Sequence, residues 1–311
     1  VTIDGRDVTA LPPRLRDTGM VFQNYALYPH RTVAGNIAYP LRLRGVPAAE
    51  RERRVRDIAA LLQLDGLLAR RPSQLSGGQA QRVAVARALV WQPKLVLMDE
   101  PLSNLDALLR LHTRTELKRL HRTLGCTFVF VTHDQEEAMT LGTRIAVLRD
   151  GRLEQFAPPS EIWRRPATRF VAEFVGRPAM NTVDGDVQRG VFRADGFTCA
   201  LPGQPDGPVV LGVRPEHVAL VAADAPPPAS TGQTSSVAVN AAQHVEGVVD
   251  VVEQVPPDTL VFVRVGARLW AVRVAGDDCP WRAGDTVALR WAAQAQHRFD
   301  PVSGRRLDAA P

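Results

Sequence analysis

The sequence predicts an α/β domain followed by a smaller all-β domain. Apolar runs of strand length at residues 19–22, 95–98 and 126–131 alternate with stretches of helical periodicity, the order that a parallel sheet requires. The run at 95–98 ends in two acids, Asp99 and Glu100, where the ligand-binding edge of such a sheet lies. Beyond residue 181 the helical period gives way to short alternating strands broken by Gly and Pro, as in a small barrel of OB type. A length of 311 residues holds two domains, each able to bury a core.

In chain order, residues 1–23 read as a short strand (Val1, Ile3), a turn at Gly5, a Pro12-Pro13 loop and the strand 19–22, with Gln23 directly after it. Residues 36–72 are helical, with Val55, Ile58, Ala59 and Leu62 at helical spacing. The cluster Arg51, Arg53, Arg54 and Arg56 is diluted by Glu50, Glu52 and Asp57 and has no interleaved aromatics, so it reads as a solvated helix face and not as a nucleic-acid patch. Ser76 is placed to N-cap a helix opened by Gly77 and Gly78, whose apolar face carries Val83, Ala84, Ala86, Leu89 and Val90.

After the acids a polar turn (Ser103, Asn104, Asp106) starts a helix over 104–124 that Gly125 closes. The strand 126–131 leads into Thr132, His133 and Asp134, and Asp134 with Glu137 gives a capping-box-like helix start. A strand at 144–148 and a tight turn at Asp150-Gly151 follow, and then a hinge over 152–181. The clearest later strands are 209–213, 248–252, 260–265, 269–274 and 287–291, with a hairpin turn at Gly266-Ala267. Residues 223–243 read as a low-complexity insert.

The formal net charge is +5, and no run approaches the ~20 consecutive apolar residues that span a bilayer. With no N-terminal signal pattern, the expectation is a soluble or peripheral protein. Cys126, Cys199 and Cys279 are far apart and match neither a metal site nor a CxxC pattern, which fits a reduced setting.

The chemistry concentrates in residues 75–105, LSGGQAQRVAVARALVWQPKLVLMDEPLSNL. Glycines at a helix start leave backbone N–H groups and the positive end of the helix dipole free for phosphate oxygens. A strand-end carboxylate suits Mg²⁺, and a second beside it suits the polarisation of an attacking water. This order and spacing resemble the ATP-binding-cassette (ABC) ATPases, with LSGGQ as their signature motif and LVLMDEP as their second nucleotide motif. VFQNYALYPHRTV resembles their Q-loop, Thr132-His133-Asp134 their switch histidine and SNLD their D-loop. LGVRPEHVAL at 211–220 resembles the core of the transport-associated OB (TOBE) domains, and GRPAMN the carbohydrate and glycerol-phosphate importers.

The resemblance implies a P-loop NTPase-like cassette over 1–177, its helical subdomain at about 36–90, and a regulatory TOBE/OB domain over 178–311. It also implies an ATPase that energises solute uptake. Glu100 is then the catalytic base, His133 and Gln23 assist it, and Asp99 and Gln23 serve Mg²⁺. Ser76, Gly77, Gly78, Gln79 and Asp106 contact ATP held by a second copy of the subunit. Tyr25, Leu27, Tyr28 and His30 line a groove for a membrane permease, which receives solute from a binding protein, with no role for nucleic acid. The expected location is peripheral, on the cytoplasmic face of the inner membrane.

The only lysines, Lys94 and Lys118, fit no G-x-x-x-x-G-K-[ST] loop, and the chain starts in mid-strand on Val1. The expectation is a missing N-terminus and weak ATP binding by residues 1–311 alone. The alternatives are a P-loop-less partner subunit in a heterodimer and a soluble cassette protein acting on nucleic acid. Intact Glu100 and His133 weigh against the first, and the Q-loop and OB region against the second.

Overall fold

The computed structural model describes residues 1–223 and 245–307. The chain divides into two compact units, Val1–Gly142 and Thr143–Pro311.

In the first unit, β1 (Thr2–Ile3) and β2 (Arg6–Asp7) pair around Gly5. The strands β3 (Thr18–Val21), β4 (Leu95–Asp99) and β5 (Thr127–Val131) form a parallel sheet in that order. Val21 stands opposite Met98, and Asp99 opposite Val131, so Gln23, Glu100 and His133 all leave the sheet at one edge. The helices are α1 (Val33–Leu43), α2 (Ala48–Leu61), α3 (Gly77–Leu89), α4 (Ala107–Leu124) and α5 (Gln135–Leu141).

One face of this sheet (Val21, Val96, Met98, with Phe128 and Phe130) belongs to the same core as Ile37, Leu41, Ala84 and Leu89 from the helices. A Cβ at Gly19 would sit 2.6 Å from the Ala88 carbonyl oxygen, so glycine is what lets β3 approach the end of α3. The opposite face is open among the described residues: Met20, Val129 and Val131 are 39, 45 and 53% exposed. Parallel sheets usually have both faces covered.

The caps follow the sequence with two differences. The helix expected from residue 104 starts at Ala107, because Asp106 is extended and its carboxylate accepts from Leu109 N at 2.9 Å. Ser103 turns back instead, its N–H donating to the Glu100 carbonyl at 3.2 Å. At α5 Asp134 caps the Glu136 and Glu137 amides, but no reciprocal box forms. The Glu137 carboxylate is taken by the Thr132 hydroxyl at 2.7 Å. Gly125, at φ +64°, ends α4 as expected. On α2, Arg53 and Arg54 both bond Glu50 on a solvated face.

In the second unit β6 (Ile145–Arg149) and β7 (Arg152–Ala157) form a hairpin whose corner, Asp150-Gly151, is left-handed at both residues. The expected hinge is folded: it holds β7, α6 (Pro159–Arg164) and α7 (Arg169–Phe174). Pro159 begins α6 where a missing N–H costs nothing, and the Thr168 hydroxyl caps α7. Ile162, Val171 and Ala172 are fully buried.

The strands β8 (Asn181–Gln188), β9 (Val191–Ala194), β10 (Phe197–Ala200), β11 (Gly207–Val213), β12 (Ala219–Ala222), β13 (Val245–Val255), β14 (Asp258–Val265), β15 (Arg268–Ala275), β16 (Thr286–Arg290) and β17 (Gln296–Phe299) make two five-stranded sheets. Their orders are β10-β9-β8-β11-β17 and β12-β16-β13-β14-β15. Trp270 and Trp291 stack at 5.2 Å between ring centroids with Phe197 edge-on to both, so these aromatics are core and not a base-stacking platform. All but the first residue of the insert at 223–243 lies outside the described residues.

His297 on β17 is buried, and its Nδ1 accepts from Arg306 at 2.9 Å. Burial first, then the charges of Arg306, Arg214 and His217, push its pKa from 6.5 down to about 3. The unfolded chain therefore takes up a proton here, between those two values, that the folded chain refuses. This contribution is complete above the ordinary pKa and is lost as the pH falls, at up to ~1.4 kcal/mol per unit. At pH 5 the loss is roughly 2 kcal/mol. Thermal unfolding of the wild type should worsen from pH 7 to 5 more steeply than that of His297→Asn. Parallel curves would remove His297 as the cause.

Candidate active site

Three chain segments converge at the C-terminal edge of the β3-β4-β5 sheet. Glu100, next after β4, has φ +41°, a left-handed conformation that a non-glycine residue holds only when its surroundings impose it. The imposing bonds are visible: its N–H donates to the Val131 carbonyl at 2.9 Å, and its own carbonyl accepts the Ser103 hydroxyl at 2.9 Å. This turn aims the carboxylate between two side chains. His133 Nδ1 lies 3.0 Å from Oε1, and Gln23 Nε2 donates to Oε2 at 3.2 Å.

An ionised carboxylate only accepts, so the His133 Nδ1 carries the proton and Nε2 is left for another partner. The hydrogen bond to Glu100, and then its charge, raise the His133 pKa above 6.5. Gln23 Nε2 also reaches Ser103 Oγ at 3.3 Å, and the Gln23 backbone carbonyl accepts from Asn104 Nδ2 at 2.9 Å, which leaves the side-chain Oε1 outside both bonds. A small cleft of about 40 Å³ opens here, lined by Glu100, Ser103, Arg110, Thr132, His133, Asp134 and Glu137. It has room for a water molecule or two among polar partners.

Asp99 ends β4 with an exposed carboxylate outside this bonded group. Among the described residues no cluster of three or more His, Cys, Asp or Glu could hold a metal ion by itself. A single strand-end carboxylate beside substrate phosphates is a donor set of the kind that Mg²⁺, which keeps several waters, accepts.

The second group lies at the start of α3. Ser76 and Gln79 form a reciprocal capping box: the Ser76 N–H donates to Gln79 Oε1 at 3.0 Å, and the Gln79 N–H to Ser76 Oγ at 3.4 Å. Neither bond uses the Gly77 or Gly78 amides. A Cβ at Gly78 would come within 3.0–3.1 Å of the Leu109 methyls, so glycine lets this turn pack on the start of α4. Asp106 caps α4 in the same region.

Of the candidate residues, the structure joins Gln23, Glu100 and His133 by hydrogen bonds, leaves Asp99 beside them, and sets Ser76–Gln79 and Asp106 at two neighbouring helix starts. Sequence reasoning placed Ser103 and Asn104 in the D-loop-like turn and Thr132 in the Thr132-His133-Asp134 motif but gave none of them a contact at the site, and it gave Arg110 no role. Arg110 bridges towards Asp134 and Glu137 at 3.6 and 3.8 Å, which no local pattern announces. Lys94 pairs with Asp4 and Lys118 donates to the Thr140 carbonyl, so both serve surface contacts.

A parallel sheet with an acid pair at its edge, a histidine on the acid and a glycine-opened helix defines a nucleotide-hydrolysing cassette, here followed in the chain by an all-β module of two five-stranded sheets. The family model for ABC transporters matches residues 1–103, that for the MalK OB fold domain residues 176–218, and that for the TOBE domain residues 211–299. The chain belongs to the ATP-binding subunits of ABC transporters, a family of ATP-hydrolysing proteins.

Among its relatives is the sn-glycerol-3-phosphate import ATP-binding protein of Chromohalobacter salexigens, 47% identical over 98% of this chain and 81% of that protein. The protein of that name from Salmonella typhi is 44% identical over 99% and 83%. One from Rhizobium johnstonii is 54% identical over 73% of this chain and 63% of its own length. Similarity to import subunits along nearly the whole chain sets aside the nucleic-acid reading. Among the described residues no helix is long and apolar enough to cross a membrane.

Proposed function

We propose that the chain is the ATP-hydrolysing subunit of an importer for glycerol phosphate or a related sugar derivative, acting as one of two copies beneath a membrane permease. The observation that carries the hydrolytic reading is the Glu100 carboxylate held between His133 and Gln23. Glu100 orients the attacking water and takes its proton. Gln23, with one amide hydrogen on Glu100, presents its carbonyl group to the same water or to the metal shell. Glu100 favours the imidazolium, and in that form His133 keeps Nδ1–H on Glu100 and donates Nε2–H to the γ-phosphate. Asp99 would hold Mg²⁺ through water, and the ion would neutralise charge on the β- and γ-phosphates.

Gly77 and Gly78 supply the free amides, and Ser76 and Gln79 shape the helix start, that meet the nucleotide held by the second copy. Asp106 lies at the same dimer face. Residues 1–177 form the cassette and 178–311 the regulatory module, and the protein is peripheral on the cytoplasmic side of the membrane. The permease meets the Q-loop and the helical subdomain around Tyr25, Leu27, Tyr28 and His30; the solute-binding protein acts through the permease. The substrate class rests on the names of the relatives.

The test is uptake of labelled sn-glycerol 3-phosphate in cells deleted for their own import ATPase. The full-length gene product should restore uptake, and its Glu100→Gln variant should not. Restoration of another solute in place of glycerol phosphate would replace the substrate class and keep the mechanism.

A further inference from the structure

The turn that carries Gln23 is strained, and something outside it holds it. Tyr25 and Ala26 are both left-handed, at φ +62° and +48°, a pair of conformations unfavourable for residues with a Cβ. The turn's own bonds are two short-range ones, Tyr25 N–H to the Phe22 carbonyl and Ala26 N–H to the Asn24 carbonyl. Both of the strained residues then give their carbonyls to one group. Arg87 donates from its two terminal nitrogens to the Ala26 oxygen at 2.7 Å and the Tyr25 oxygen at 2.8 Å. Its guanidinium is half-buried and also lies 5.5 Å from the Tyr28 ring centroid. A planar fork that meets two carbonyls at once fixes their orientation as a single point charge does not.

Arg87 sits near the C-terminal end of α3, the helix whose N-terminus carries Ser76, Gly77 and Gly78. Most of the neighbouring positions, Val83 to Ala86 and Ala88 to Val90, are packed in the core, so this helix is a rigid lever and not a surface strut. We infer that Arg87 is a positioning residue for hydrolysis: it locks the Tyr25-Ala26 turn onto α3, so that the placement of Gln23 beside Glu100 depends on where α3 stands. Engagement of the α3 N-terminus at the dimer face is thereby felt at the Gln23 amide of the same chain. The inference rests on the hydrolytic reading given above.

The test uses the full-length gene product with Arg87→Ala, Arg87→Lys and, as a control on the solvated face of α2, Arg53→Ala. In steady-state hydrolysis Arg87→Ala should lose about 10- to 100-fold in kcat, the size expected when a reacting geometry is loosened from a distance. KM for ATP should change by less than about twofold, because nucleotide contacts are untouched. Arg87→Lys, which meets one carbonyl at a time, should recover part of the loss, and Arg53→Ala should match the wild type.

Hydrogen exchange without nucleotide supplies the second readout. The Tyr25 and Ala26 amides should exchange about ten- to a hundredfold faster in Arg87→Ala, the loss expected for charged hydrogen bonds, with α3 and β4 still protected. This arm needs no catalysis, so it judges the clamp even if the protein proves unable to hydrolyse ATP, where the hydrolytic reading alone fails. Unchanged kcat in Arg87→Ala overturns the inference. So does faster exchange spread through α3 and β4, which would make Arg87 a packing residue.

Discussion

Glu100→Gln is expected to lower kcat by about 10²–10⁴-fold while ATP binding stays close to that of the wild type, in a protein carrying the family's P-loop ahead of Val1. The amide keeps the shape of the side chain and one oxygen near His133 Nδ1, but it can no longer accept the proton of the attacking water. That interaction is made mainly in the transition state, so its loss falls on kcat and not on binding. Asp99, assigned to the metal, is untouched, and the variant should accumulate as an ATP-loaded closed dimer.

The same substitution carries a spectroscopic check. Glu100 raises the His133 pKa by its hydrogen bond and its charge, so in Glu100→Gln the imidazole should titrate closer to 6.5. The sign for folding follows: the pair's stabilisation is present below 6.5 and fades as the pH rises through the raised value, and the variant lacks it. A variant that hydrolyses ATP at the normal rate would move the catalytic assignment from Glu100 to His133.

Ser76→Arg should be as damaging by a different route. The substitution removes the oxygen that caps α3, which costs roughly 1 kcal/mol of helix stability. It also places a bulky cation at the positive end of the helix dipole, where the other copy's phosphate is to be received. Hydrolysis should fall to the range of Glu100→Gln, yet without a closed dimer. Size-exclusion chromatography with ATP separates the two: Glu100→Gln runs as a dimer and Ser76→Arg as a monomer. Ser76→Ala loses the cap and adds no bulk, so it should still dimerise. If it behaves like Ser76→Arg, the cap alone explains the defect.

The motif-bearing stretch was legible because its signals are local. Ser76 before two glycines, Asp99 and Glu100 ending an apolar run, and Gly125 closing a helix are each statements about neighbours in sequence, and each falls where expected. The folded hinge was not legible, because six-residue helices such as α6 and α7 hold too few turns to show a period, and prolines at 158, 159 and 166 read as breaks. The strands β8 to β10 were not singled out for a related reason: Gly185 breaks the alternation of β8 and the other two are only four residues long, while the ladder β11-β8-β9-β10 supplies the order that the pattern lacks. Arg87 was invisible as a functional residue, since its partners lie 61 and 62 positions away. The bonds of Glu100 to His133 and Gln23 span 33 and 77 positions, and only the shared sheet edge brings them together.

The strand that delivers His133 also carries a liability in handling. Val129 and Val131 stand on the uncovered face of the sheet, and β5 is an edge strand among the described residues. Its sequence, TFVFV, is β-branched and aromatic throughout, with no charge and no proline to discourage a second strand from joining it. Residues 1–311 alone therefore present a self-association surface a few residues from their chemistry, and precipitation of this chain would report on β5 before it reported on any failure of the active site. Threonine at 129 would relieve the stickiness at the smallest change in shape, with the row Val21, Met98 and Phe130 beneath it left intact.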